Sequence, residues 1–114
     1  MNTQENNDKI ATYMGLTARD GWYDGWDLVK AGLPFNMGAG GNGMPNIPFD
    51  KSWEYLMPVV DKIEKELPDT SILTIEYHTC IIPLGENSIF TNMLTKREAV
   101  YQAVLQYVEW VNNK

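Results

Sequence analysis

Two runs of helical periodicity, one from Ser52 to Leu67 and one from Thr95 to Val111, stand on either side of a stretch that alternates like a strand. This order constrains the fold more than any other feature of the chain. In the first run Trp53, Leu56, Val60, Ile63 and Leu67 fall at steps of three and four, so one apolar stripe faces a core while Asp61, Lys62 and Lys65 lie outside it. Asp50 or Ser52 can accept a hydrogen bond from a free first-turn N–H and is expected to start the helix. Pro58 removes the bond to the Glu54 carbonyl inside the run, which predicts a kink costing roughly 3 kcal/mol, and Pro68 marks the end. In the second run Thr95 and Glu98 have the spacing of a capping box. Ala99, Val100, Ala103, Val104, Tyr107, Val108 and Val111 then build a wide stripe that must lie on a sheet or on the first helix.

Between the helices, Ser71 to Ile82 alternates as one strand, with Leu73, Ile75, Tyr77, Thr79 and Ile81 expected to face the core and Thr74, Glu76, His78 and Cys80 on the other side. Pro83 and Gly85 close it, Glu86-Asn87 reads as a turn, and Ser88 to Met93 is expected to pair back as a short strand. The fold class is therefore α+β: a small, mainly antiparallel sheet with two main helices packed on it.

Residues 1–7 are Asn- and Gln-rich with nothing to bury and are expected to be disordered. Ile10, Ala11, Tyr13 and Met14 fit a short helix from Asp8, stopped at Gly15. Residues 17–49 mix glycines and prolines with Trp22, Tyr23, Trp26, Phe35 and Phe49 and read as a structured loop region, in which Asp24 and Gly32 could bracket one helical turn or two. The length of 114 residues fits a single domain, 1–114. Fifteen acidic against nine basic side chains give a net charge of −6, which opposes the phosphate neutralisation that bulk nucleic-acid binding needs. The polar start and the lack of a long apolar run point to a soluble, cytoplasmic protein with no membrane partner, and a lone cysteine fits a reducing compartment.

The residues Ser52-Trp53-Glu54-Tyr55-Leu56-Met57-Pro58-Val59-Val60-Asp61-Lys62-Ile63-Glu64 and Glu98-Ala99-Val100-Tyr101-Gln102-Ala103-Val104, with Trp110 near the end, resemble a group of small proteins from Bacteroidetes and their phages, similar to the phage ABA-sandwich domain. Ile10-Ala11-Thr12-Tyr13-Met14-Gly15-Leu16 is similar to that group's opening helix, which usually ends in Met-Gly-Trp; Leu16 departs from this. The segment from Gly25 to Ile47 looks like an insertion. The resemblance implies a phage or prophage origin, with the bacterial host's cytoplasm as location, and favours a three-layer α/β/α variant. It brings no catalytic residues.

Gly38-Ala39-Gly40-Gly41-Asn42-Gly43 matches G-x-G-x-x-G, but Pro34, Pro45 and Pro48 leave no strand before it or helix after it, so it is expected to be a surface loop, at most one that closes over a ligand. Asp20, Asp24 and Asp27 lack the third and twelfth ligands of a calcium loop and read as solvated turn residues. Glu76, His78 and Cys80 share a face of the expected strand and are the one constellation with catalytic residue types. With a single His and a single Cys, neither a structural zinc site nor a cofactor is expected. Trp53 and Trp110 sit on helices as packing anchors; Trp22 and Trp26 are free to stack on a ligand or partner.

Lys51 precedes Ser52 at one helix start, and Lys96 and Arg97 follow Thr95 at the other, where a cation opposes the helix dipole by roughly 0.3–1 kcal/mol. An anion held by both the N–H groups and the cations would explain the placement. The functional expectation is a non-enzymatic binder of a small anionic, nucleotide-like ligand, of phage origin and sequestering a nucleotide-derived host immune signal. Its site would draw on Trp22, Tyr23, Trp26, Gly40, Gly41, Lys51, Ser52, Thr95, Lys96 and Arg97. The alternative is a protein-interaction or assembly module with a host or phage protein or a second copy as partner; a small hydrolase is a third, weaker reading.

Overall fold

The computed structural model describes residues 3–35, 43–68, 71–84 and 87–113. They form, in order, α1 (Thr3–Tyr13), β1 (Tyr23–Asp24), α2 (Gly25–Lys30), β2 (Gly43–Met44), α3 (Trp53–Glu66), β3 (Thr74–Glu76), β4 (Thr79–Leu84), β5 (Asn87–Asn92) and α4 (Lys96–Asn112). The class is α+β, with two antiparallel sheets, β1-β2 and β3-β4-β5. The chain divides into two units, Met1–Pro58 and Val59–Lys114, and α3 runs through the boundary.

In the first unit α1 starts at Thr3, within the segment whose composition predicts disorder. The reason is tertiary: Asn7 is 1 % exposed and its Nδ2 donates to Asp50 Oδ1 at 3.0 Å, so a polar side chain is held by a partner that no local pattern reveals. Gly15 (φ +86°) ends α1 as expected: its N–H bonds to the Thr12 carbonyl and that of Leu16 to Ala11, which is a Schellman motif with Leu16 buried as its apolar closure. The same device ends α2, where Gly32 (φ +84°) is followed by buried Leu33, whose N–H reaches the Leu28 carbonyl. At the other end of α2 the Asp24 carboxylate accepts from Trp26 N at 2.8 Å. Asp24 and Gly32 thus bracket a short helix inside the region read as loop.

That region also pairs. Asp20 and Gly21 both take positive φ, 52° and 82°, and close a two-residue hairpin in which Arg19 and Trp22 exchange backbone hydrogen bonds of 2.7 and 2.9 Å. Tyr23 then pairs with Met44 and Asp24 with Gly43. A Cβ on Gly43 would sit 2.0 Å from the Tyr23 carbonyl oxygen, so the last glycine of the glycine-rich run permits a close backbone approach. The rest of that run lies outside the described residues.

In the second unit the expected single strand from Ser71 to Ile82 is a hairpin: Tyr77 and His78 turn β3 back into β4, with Glu76 opposite Thr79. A turn between two runs of matching alternation leaves the pattern unbroken, which is why periodicity reads them as one strand. The turn keeps the expected faces before it, where Leu73 is buried and Ile75 pairs with Cys80, and reverses them in β4. Cys80, Ile82, Ile89 and Thr91 are buried on the side covered by α4, whereas Tyr77 is 83 % exposed. Strand β5 pairs along β4 from Thr79↔Asn92 to Leu84↔Asn87, as the expected back-pairing requires. Helix α4 starts at its expected cap, with Thr95 Oγ1 accepting from Glu98 N at 3.1 Å. It buries Ala99, Val100, Ala103, Val104 and Val108, and the Thr91 hydroxyl donates to the Ala99 carbonyl at its first turn. Helix α4 covers one face of this sheet and is tied to α3 by the Tyr107–Glu66 hydrogen bond, while Ser88, Phe90 and Asn92 on the face opposite α4 are exposed.

Candidate functional site

The two exposed indoles expected from the sequence are present: Trp22 is 53 % and Trp26 64 % exposed. Each has a cation beside it. Arg19 stands opposite Trp22 in a hydrogen-bonded pair, where side chains project to one face, and Lys30 follows Trp26 at i+4 on α2. Arg19 and Lys30 both line a cleft of about 310 Å³, together with Thr17, Asp27 and the ends of the two Schellman turns. The cleft lies wholly within the first unit.

Tyr23 does not join them. Its ring is buried in β1 and its hydroxyl donates to Asp8 Oδ1 at 2.6 Å; burial first, and the Asp8 carboxylate second, raise its pKa well above the tyrosine range. Tyr23 fixes α1 against β1 and offers no open face for stacking. Lys51 is exposed and Ser52 half-buried in the turn that leads into α3, where the Ser52 carbonyl accepts from Leu56 N at 3.1 Å. Thr95, Lys96 and Arg97 belong to the second unit, where the Thr95 hydroxyl is already committed to capping α4. Gly40 and Gly41 lie outside the described residues.

The catalytic constellation dissolves in the hairpin. Glu76 ends β3 and is exposed, His78 sits in the turn with Nδ1 donating to Asn92 Oδ1, and Cys80 is 1 % exposed on the covered face. Burial pushes the Cys80 thiol up to about 11, so at neutral pH it is protonated and shielded. Among the described residues no three His, Cys, Asp or Glu side chains gather as a metal site. Trp110, expected as an anchor, is 38 % exposed and lies against Tyr107 with ring centroids 5.8 Å apart. With Glu66, whose carboxylate accepts from the Tyr107 hydroxyl at 3.0 Å, this pair lines a shallow, mainly apolar groove of about 290 Å³.

Arg19 and Lys30 are the residues that sequence reasoning missed. The signal was there: Asp20-Gly21 is the dipeptide of a tight hairpin, which makes Arg19 and Trp22 neighbours, and an Asp24-capped helix puts Lys30 one turn from Trp26. No described helix is long and apolar enough to cross a membrane. Comparison with protein-family models, with curated proteins and with solved structures finds no match for this chain.

Proposed function

We propose that this protein is a non-enzymatic binder of a small anionic ligand that carries a flat ring, such as a nucleotide, and that the cleft between α2 and the segment that follows α1 is its site. The observation that carries this reading is that both cations lining the cleft are placed beside an exposed indole that stands outside the lining, Arg19 by its pairing with Trp22 and Lys30 by its place one turn from Trp26. A guanidinium and an ammonium can hold phosphate oxygens while an indole face stacks on a base, the latter for roughly 1–3 kcal/mol per base. Asp27 and Thr17 supply an acceptor and a hydroxyl for ring or sugar polar groups. The carbonyl ends of α1 and α2 favour positive charge at the cleft, so part of the cationic field balances the helices and the ligand meets the remainder. A protein of phage origin, the origin that the helical resemblance implies, would need such a site and no catalytic group to sequester a nucleotide-derived host signal.

A thermal-shift screen with linear and cyclic mono- and dinucleotides tests the reading, because a ligand that binds only the folded chain raises its stability. Stabilisation lost on Arg19→Ala with Lys30→Ala supports it. No shift with any nucleotide sinks it and favours the second reading, a protein-interaction module, for which the exposed apolar trio Trp22, Trp26 and Val29 is the specific observation.

A further inference from the structure

Strand β5 is an edge whose outward backbone groups are identifiable. Met93 N bonds to the His78 carbonyl at 3.1 Å, which makes that pair hydrogen-bonded and, by alternation along the ladder, also Thr91 with Cys80 and Ile89 with Ile82. The N–H and C=O groups of Ser88, Phe90 and Asn92 therefore point away from β4, and among the described residues none of them meets a backbone partner. All three residues are exposed, Phe90 by 60 %.

Natural sheets blunt such edges with charges, prolines or shortness. The opposite edge, β3, is only three residues long. Strand β5 has six residues, and from Asn87 to Thr95 the chain carries no Asp, Glu, Lys or Arg at all, in a protein of net charge −6. An acidic chain can meet itself along this seam without like charges facing each other.

The occupant follows from the order of side chains. Around Phe90 the strand reads nearly the same in both directions: Ile89 and Thr91 are both β-branched, and Ser88 and Asn92 are both small and polar. An interface between identical chains needs a patch that suits itself, residue i meeting j while j meets i, and Phe90 opposite itself with uncharged Ser88 opposite uncharged Asn92 meets that need. We propose that two copies of this chain pair antiparallel through β5, with a two-fold axis at Phe90 and Ser88 of each copy opposite Asn92 of the other. That register satisfies the outward groups of all three residues on both copies and joins two three-stranded sheets into one of six. It also sets the two Phe90 rings side by side on the face opposite α4.

Sedimentation of the full chain from micromolar to near-millimolar concentration tests this, with a particle of twice the 13.0 kDa chain mass expected. Phe90→Lys puts two ammonium groups opposite each other and should weaken association at least tenfold while circular dichroism is unchanged. In a Cys80→Ala background, Phe90→Cys should form a disulfide-linked dimer on mild oxidation, since directly opposed residues of a hydrogen-bonded pair have Cα atoms about 5.5 Å apart. A chain that is monomeric throughout the range overturns the proposal. So does a dimer that tolerates Phe90→Lys and fails to cross-link through position 90.

Discussion

The amide of Asn7 donates to the carboxylate of Asp50 at 3.0 Å across 43 residues of sequence, and Asn7 is 1 % exposed. This one bond ties α1 to the turn that launches α3. Removing the amide leaves a partly buried carboxylate with one donor fewer and opens a small gap, so Asn7→Ala is expected to cost about 1–3 kcal/mol. Asn7→Asp is expected to cost more at neutral pH than in mild acid, since it sets a second carboxylate beside Asp50. Urea unfolding of the three proteins measures this; an Asn7→Ala midpoint equal to that of the parent would show that the bond contributes nothing.

The Cys80 thiol, raised from 9.0 to about 11 by burial, couples stability to alkaline pH. Above the unfolded value the open chain releases a proton that the native chain keeps, so stability is full below about pH 9 and falls as pH rises toward 11. Tyr23 acts in the same direction, its raised pKa arising mainly from burial and then from Asp8. The expected loss from Cys80 alone is about 2 kcal/mol between these limits. Cys80→Ala should lower stability at neutral pH through its lost packing and flatten the alkaline decline. Denaturant titrations at intervals from pH 7 to 11 separate the two effects, and a decline of the same steepness in both proteins would remove Cys80 as its source.

Tyr77 takes φ +50° at the first position of the β3–β4 turn, a conformation that costs a side chain with a Cβ roughly 1–2 kcal/mol. Its ring is 83 % exposed and adds little packing in return. Tyr77→Gly is expected to raise the unfolding midpoint, with a gain of up to about 1 kcal/mol once the larger unfolded-state freedom of glycine is subtracted. Most replacements of an aromatic residue by glycine in a hairpin destabilise, so the sign of the change is the test. A lower midpoint would mean that the ring makes contacts that outweigh the strain.

The parts of the fold that could be read from sequence were those governed by local chemistry. Thr95 caps α4 and Gly15 stops α1 because a hydroxyl and a residue tolerant of positive φ act within four residues of themselves. Ser88 to Asn92 pairs back because alternation persists on both sides of a turn. What could not be read depended on distant partners or on a turn hidden by its neighbours. Asn7 looks like a residue with nothing to bury until Asp50 is placed beside it, and Tyr77-His78 carries none of the usual turn residues, so two strands read as one and Cys80 was set on the wrong face. For the site, Trp22 and Trp26 were legible as aromatic residues outside any apolar stripe. Their cations become neighbours only once two local signals are combined with them, the Asp20-Gly21 dipeptide for Arg19 and the Asp24 cap for Lys30.

If the cleft binds a nucleotide, charge and stacking contribute in ways that salt can separate. Interactions of phosphate with Arg19 and Lys30 are screened as ionic strength rises, the Debye length shrinking from about 10 Å at 0.1 M to about 3 Å at 1 M, whereas stacking on Trp26 is nearly indifferent to salt. Arg19→Ala with Lys30→Ala should therefore weaken binding at least tenfold at low salt and flatten the dependence of affinity on salt. Trp26→Ala should also weaken binding, by a factor of about ten for each 1.4 kcal/mol of stacking lost, and leave the salt dependence as steep as in the parent. Calorimetry of the nucleotide with the largest thermal shift, at three ionic strengths for each protein, gives both quantities. Should the double variant and Trp26→Ala each bind as tightly as the parent, the nucleotide sits elsewhere, and the exposed indoles of α2 and the hairpin are better assigned to a protein partner.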